Sequence, residues 1–380
     1  MTMRNVFIAL MMILLSSCAA PKLENTYSET ELAFSLNLFR NALISSPAGE
    51  NVSVSPYSAG VALAMLDAGA DEQTRTELDN ALGGCSFIKQ DLGSNDTVTV
   101  TSANSLWIDN DFSIRNTYVD ILSKDYEAFS DALDFGDPET VKAINNWCSE
   151  NTDGMIKGII SRLTPDMKLI IANALYFKGS WQDSFNPSDT GTGIFHGSKG
   201  DTRVSFMNKT LTCSYVEYEG NQMVKLPYEG GGYAMYVLLP SKNFRIDELV
   251  PYIYEDGFRE VLDNMTTKKV RLSLPKFKVE TEMSLVKTLQ RMGVRTVFTT
   301  AADLSGIARG PLYVSDVYQK SVVNVDENGS EAAAVTAIMA RLTSAGLSQN
   351  PVMNVDRPFY YMIADIQSDR VLFAGRIMNL

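Results

Sequence analysis

Nine consecutive residues, Leu169-Ile170-Ile171-Ala172-Asn173-Ala174-Leu175-Tyr176-Phe177, carry one polar side chain, Asn173. A run this short, apolar at odd and even positions alike, reads as a strand buried on both faces. Such a strand sits centrally in a sheet that has a packed layer on each side. A lone Asn there must find hydrogen-bond partners, so Asn173 is expected in a buried polar network. With 45% hydrophobic residues in 380, the chain can bury a core of that kind.

The pattern around this strand mixes helices and strands without regular alternation. Ser28 to Ile44 is amphipathic, and Ser28 with Glu31 three residues on reads as a capping box. Asn51 to Val54 is a short strand, followed by helices from Ser55-Pro56 to Gly69 and from Asp71 to Leu82, the second stopped at Gly83-Gly84. Thr97–Trp107 is a strand, and Asn116–Glu127 and Thr140–Asn151 are helices. After Trp181, the segments Arg203–Tyr218, Gln222–Pro227 and Tyr233–Pro240 read as strands joined by Gly-rich or polar turns. Asp247–Asn264 is mostly helical, Val270–Pro275 and Phe277–Glu280 are strands, and Ser284–Met292 is a helix. A hairpin, Phe359–Ala364 with Val371–Ile377, closes the chain. The class predicted is α+β, in one domain with no linker after residue 28.

Charge and residue inventory exclude several functions. The net charge is −12 with Lys and Arg scattered, which argues against nucleic acid or a polyanion as the main partner. The one histidine, His196, sits among Gly193, Gly197 and Gly200 in what reads as a polar loop, with no nucleophile near it in sequence, so a Ser-His-Asp or Cys-His hydrolase is disfavoured. No phosphate-binding glycine motif appears. One histidine and scattered cysteines predict no metal site and no cofactor. Cys85, Cys148 and Cys213 read as buried free thiols or at most one bridge.

The N-terminus carries an address. Arg4 precedes a ten-residue apolar run, Val6 to Leu15, of signal-peptide length and too short to span a bilayer. Leu15-Ser16-Ser17-Cys18 resembles the lipobox of bacterial lipoproteins. The resemblance implies a signal peptide over residues 1–17, lipid on Cys18 and a tether over 18–27. The expected location is the cell envelope, at the outer membrane, on its periplasmic or surface side. An ordinary signal peptide with a chance cysteine is the other reading.

The stretch Asp326 to Ser344 admits two readings. Its alanines favour helix. With period two, however, Ser330, Ala332, Ala334, Thr336, Ile338, Ala340 and Leu342 form a face without charge, while Glu331 and Arg341 fall on the other. The segment is therefore suited to entering a sheet.

These stretches resemble the serpin family in order and over nearly all of Ser28 to Leu380. The matching segments are Asn51-Val52-Ser53-Val54-Ser55-Pro56-Tyr57-Ser58, Asn173-Ala174-Leu175-Tyr176-Phe177-Lys178-Gly179-Ser180-Trp181, Leu274-Pro275-Lys276-Phe277, Ala302-Asp303-Leu304-Ser305-Gly306-Ile307, Asp326 to Ala334, and Met353 to Ile363. The resemblance implies a serpin domain over 28–380, with three β-sheets, eight or nine helices and an exposed reactive-centre loop. It implies a metastable monomer that is not an enzyme but an irreversible endopeptidase inhibitor. In the implied mechanism the Ser or Cys nucleophile of a serine or papain-like protease attacks the loop, breaking the scissile amide and forming an acyl-enzyme. The cleaved loop then inserts into the main sheet and distorts the protease before it can deacylate.

The family pattern assigns the hinge to Glu327, Gly329, Ser330, Glu331, Ala332, Ala333, Ala334, Val335 and Thr336. Counting from Glu327 as the family does puts the reactive bond at Thr343-Ser344, with Leu342 and Arg341 as alternative registers. Thr343 or Leu342 suits elastase-like, chymotrypsin-like or papain-like targets, and Arg341 suits trypsin-like ones. Subtilisin-like proteases are also in range. Ser330 to Thr343 extended spans roughly 45 Å at about 3.3 Å per residue. If each new ladder bond nets about 1 kcal/mol, insertion gains on the order of 10 kcal/mol.

Ser55, Ser58, Asn173 and Gln319, with Trp181 after the strand, match the family's sheet-opening residues. Gln319 stands where the family commonly has His, so no pH switch is expected there. The short Cys85–Asp96 segment leaves little room for a heparin-binding helix, so heparin activation is not supported. The alternative reading is a non-inhibitory serpin, a binding protein or a mere protease substrate. Small, neutral hinge residues favour the inhibitor.

Overall fold

A computed structural model of the chain describes residues 30–88, 92, 97–330 and 350–380. Cys18, the segment before residue 30 and residues 331–349 lie outside the described residues. The hinge positions Glu331 to Thr336 and the candidate reactive-bond residues Arg341, Leu342, Thr343 and Ser344 are therefore among those not described.

The first helix, α1 (Glu31–Ser45), begins after Thr30, whose hydroxyl accepts from the Ala33 amide at 3.2 Å. This corrects the cap expected at Ser28. Glu31 lies inside the first turn, and its carboxylate pairs with Arg370 at 2.8 Å. Next come β1 (Val52–Val54) and α2 (Pro56–Asp67). Ser55 caps α2, Pro56 fits its first turn, and residues 56–66 are buried on all sides, as in a core helix. α3 (Glu72–Leu82) ends at Gly83, left-handed with φ 62°.

β2 (Val98–Asp109), α4 (Asn116–Tyr126), β3 (Phe129–Leu133), α5 (Pro138–Glu150) and β4 (Leu169–Ser180) follow. After them come β5 (Gly191–Gly197), β6 (Gly200–Tyr218), β7 (Asn221–Pro227) and β8 (Tyr233–Leu239). The stretch read as one helix from Asp247 is a 3₁₀ turn, Ile246–Tyr252, and then α6 (Glu255–Asp263), divided beyond Pro251. The chain closes with β9 (Thr266–Pro275), β10 (Phe277–Ser284), α7 (Val286–Arg291), β11 (Val314–Val325), β12 (Gly329–Ser330), β13 (Val352–Asn354), β14 (Phe359–Asp365) and β15 (Val371–Ile377).

Two strands have no clear sequence signal. β3 is short and half-exposed, and β5 is rich in glycine and polar residues. Each is set by its neighbour, β3 by parallel pairing with β2 and β5 by its hairpin with β6. His196 thus lies in a strand, not in a loop.

The architecture is mixed α+β. One sheet runs β10-β11-β12-β4-β2-β3. A nine-stranded sheet runs β1-β15-β14-β8-β7-β6-β9-β13, with β5 also on β6. Two of the three expected sheets are thereby continuous, because the 19-residue β6 serves both.

β4 is central and buried on both faces, as its composition requires. Ile171, Leu175 and Phe177 join the main core with α2, while Ile170, Ala172, Ala174 and Tyr176 pack with Ile144 and Cys148 of α5.

Candidate functional site

β4 and β11 are parallel neighbours, paired from Leu169–Val314 to Tyr176–Val322. Above that they separate, and β12 enters between them, antiparallel to both. Gly329 pairs with Ser180, and Ser330 pairs with Gly179 on one side and Val325 on the other. Ser330 is fully buried.

The turn into this position is built from Asp326 to Gly329. The Asn328 amide donates to Asp326 Oδ1 at 2.8 Å, and the Asp326 amide donates to the Gly329 carbonyl at 2.9 Å. Gly329 has φ +155°, and a Cβ there would lie 1.9 Å from the Gly179 carbonyl oxygen. Only glycine passes so close to the neighbouring backbone in this conformation.

Aromatic groups hold the turn from beside β4. Trp181 Nε1 donates to the Asp326 carbonyl at 2.9 Å, and its amide donates to the Asn328 carbonyl at 2.8 Å. Tyr228 stacks on Trp181, with ring centroids 4.6 Å apart, and its hydroxyl lies 2.6 Å from Ser330 Oγ. Glu327 is buried yet paired. Lys276 Nζ donates to it at 2.7 Å and Thr190 Oγ1 at 2.8 Å. Burial pushes its carboxyl pKa up, but the hydrogen bonds from Lys276 and Thr190 outweigh that and hold it below the ordinary value.

Below the gap, where β4 and β11 are paired, Gln319 of β11 makes a two-point contact with one residue. Its Nε2 donates to the Ser55 carbonyl, and its Oε1 accepts from the Ser55 amide, both at 2.8 Å. Ser55 Oγ accepts from the Ser58 amide at 3.1 Å, the cap of α2. Asn173 is level with Gln319 across the strands, but its side chain turns the other way and donates to Asn104 Oδ1 of β2 at 2.7 Å. Alongside, Ser321 Oγ donates to Ser53 Oγ at 3.0 Å, and the Tyr361 hydroxyl donates to the same atom at 2.7 Å.

The sequence-predicted residues thus fall in two places. Ser55, Ser58 and Gln319 form one polar contact, and Asn173 forms a second with Asn104. Trp181 belongs to the upper turn with Glu327, Gly329 and Ser330. Tyr228, Lys276, Thr190, Asn104, Ser53, Ser321 and Tyr361 complete the site and were not singled out from sequence. Lys276, Ser53 and Tyr361 lie inside segments that resemble the family, so their positions carried a signal. Tyr228 carried none.

Elsewhere, His196 Nδ1 is 2.8 Å from Asp201 on an exposed hairpin, and no hydroxyl or thiol is hydrogen-bonded to its ring among the described residues. Cys85, Cys148 and Cys213 are unbridged, and burial pushes each thiol up to about 11. They are not thiolates at neutral pH. The arrangement is a pair of parallel strands that part above Tyr176 and Val322, with β12 seated in the gap.

Residues 29–380 match the family described as Serpin (serine protease inhibitor). A serpin-like protein of Thermococcus kodakarensis is 34% identical over 369 residues, covering 92% of this chain and 86% of that protein. Iripin-2 of Ixodes ricinus is 35% identical over 370 residues, covering 91% and 92%. Among solved structures, the thermophilic serpin tengpin in its native state superposes with a TM-score of 0.85 at 30% identity, covering 95% of this chain and 96% of that one. Human thyroxine-binding globulin complexed with its ligand has a TM-score of 0.83 at 23% identity, covering 93% and 98%, a likeness of fold.

Proposed function

The chain belongs to the serpin family, and on that premise we propose that it is an irreversible inhibitor of serine endopeptidases, and of papain-like cysteine endopeptidases as a second class. The loop after Ser330 is the bait. A protease forms an acyl-enzyme on it, and the cleaved loop then extends β12 down between β4 and β11, drawing the protease along.

The observation that carries this reading is the register of β12. Ser330 lies level with Gly179 and Val325. Continuing antiparallel to both strands, Ala332 would come level with Phe177 and Val323, Ala334 with Leu175 and Ser321, and Thr336 with Asn173 and Gln319. Phe177, Leu175 and Val323 belong to the main core. Residues with direct partners share a face of the sheet, so on insertion the even-numbered positions would meet that core. They are the small, neutral ones. A non-inhibitory binding protein has no need of such a match.

The test uses the chain lacking residues 1–17, incubated with elastase, trypsin, subtilisin and papain. A complex resistant to SDS is expected with at least one, and the released C-terminal peptide identifies the cut among Arg341, Leu342 and Thr343. Loop cleavage without complex and without a rise in thermal stability would sink the inhibitor reading and leave the alternative of a non-inhibitory substrate.

We also propose that the protein is exported and anchored through lipid on Cys18. Labelled fatty acid should enter the wild type and not Cys18→Ser. Equal labelling of the two would rule the anchor out.

A further inference from the structure

Three strands meet where the chain returns from residues 331–349. β13 pairs in parallel with β9, and β9 pairs with β6, so side chains line up in rows across the sheet. Thr210, Arg271 and Val352 form one row, and Asn208, Ser273 and Asn354 the next. All six line a cavity of about 440 Å³, with Lys209 and Asp189 at its edges. Thr212 and Lys269 form a further exposed row on the same face.

The charges are unevenly committed. Lys209 Nζ is bound to Asp183 and to the Ser184 carbonyl, and Asn208 Nδ2 donates to the Asp189 carbonyl at 2.9 Å. Lys269 and Arg271 are exposed and make no ion pair among the described residues. An Arg271 guanidinium that shares a cavity lining with Thr210, Ser273 and Asn354 offers a carboxylate a cation beside neutral donors. The chain as a whole carries −12 and repels acidic partners. This cationic row stands at one particular place. The Pro351 carbonyl accepts from the Arg271 amide at 2.8 Å, so the row begins where the loop ends. A protease that grips the residues just before Pro351 would meet this face.

We propose that this face is a second contact for the target protease, receiving a carboxylate-bearing surface loop of the enzyme on Arg271, with Lys269 adding attraction. The proposal rests on the loop being protease bait. It assigns the partner class: a protease acidic beside its active-site cleft.

Encounter binding tests it without requiring covalent trapping. Anionic and cationic trypsins share specificity for Arg341 and differ in charge, and each is used with its nucleophilic serine replaced by alanine. At low salt, Lys269→Glu/Arg271→Glu should weaken binding of the anionic form by about tenfold or more, as charge reversal at a contact does. The cationic form should bind equally or more tightly, and the difference should fade at high salt. Equal effects on both trypsins, no effect, or loss that persists at high salt would overturn the proposal. So would retention of the wild type, but not the variant, on immobilised heparin at physiological salt, which would assign the face to a polyanion. Failure of active proteases to form covalent complexes would strike the inhibitor reading alone, since the inactive trypsins report this contact independently.

Discussion

The hydroxyls of Tyr228 and Ser330 lie 2.6 Å apart in a fully buried layer, where Tyr228 is stacked on Trp181. Burial pushes the Tyr228 phenol up, so it stays neutral, and either hydroxyl can donate to the other. Tyr228→Phe and Ser330→Ala should each cost about 1–2 kcal/mol, because each strands a buried polar atom. The double variant should cost less than the sum by about 1 kcal/mol, since both singles remove one contact. Urea unfolding of the four proteins measures this, and strict additivity would refute the coupling.

Lys276→Met should lower stability by about 1 kcal/mol at neutral pH, a modest figure because the Lys276 side chain is 40% exposed. The pH profile is more telling. The Glu327 carboxyl is held below its ordinary 4.5, so it contributes stability that is fully present above that value and lost as pH falls through the depressed one. Thermal midpoints from pH 7 down to 3 should show a steeper acid decline for wild type than for Lys276→Met. Parallel curves would mean that the pair contributes nothing.

Gln319 is both donor and acceptor to Ser55 and does not titrate. Gln319→His should install a pH dependence at this buried place. The protonated ring loses its acceptor, and burial disfavours its charge, so the folded pKa lies below the unfolded value of about 6.5. Stability is then lost as pH falls below about 6.5, by at most about 1.4 kcal/mol per unit. Comparing thermal midpoints of the variant and wild type at pH 7.5 and 5.5 checks this. A gap that does not widen at the lower pH contradicts it.

Parity in the loop can be read with two arginine substitutions. Continuing the observed register, position 332 comes level with Phe177 and Val323, both 1% exposed, and position 331 with Lys178 and Asn324, both half-buried. Ala332→Arg should convert inhibitor to substrate, and Glu331→Arg should largely spare inhibition. An unpaired buried guanidinium costs well above the 1.4 kcal/mol that corresponds to about tenfold in partitioning. Titration of active protease gives the stoichiometry of inhibition. Similar values for both variants would contradict the proposed register.

Much of the fold is written locally. The apolar run around Asn173 specifies a central strand, because no other element buries both faces in so few residues. Ser55-Pro56 and Gly83 mark helix ends through cap and φ preferences that act within one turn. The small, neutral even positions from Ser330 onward announce a segment fit to enter a sheet. β3 and β5 are illegible alone, since Asp131 in one and three glycines in the other break the strand pattern, and both take their conformation from β2 and β6.

The polar contacts divide along the same line. That Asn173 needs a partner follows from its apolar neighbours, but that the partner is Asn104 and not Ser55 depends on which way the side chain turns between three strands. Tyr228 reaches Ser330, and Lys276 reaches Glu327, across long separations that no local pattern encodes. Sequence determined most of the strands and helices and which stretch is suited to a sheet, because propensity, periodicity and charge act over a few residues. Only the tertiary structure decided where that stretch enters and what holds it. Hydrogen bonds and burial at the mouth of the β4–β11 cleft join residues that are neighbours only after the chain has folded.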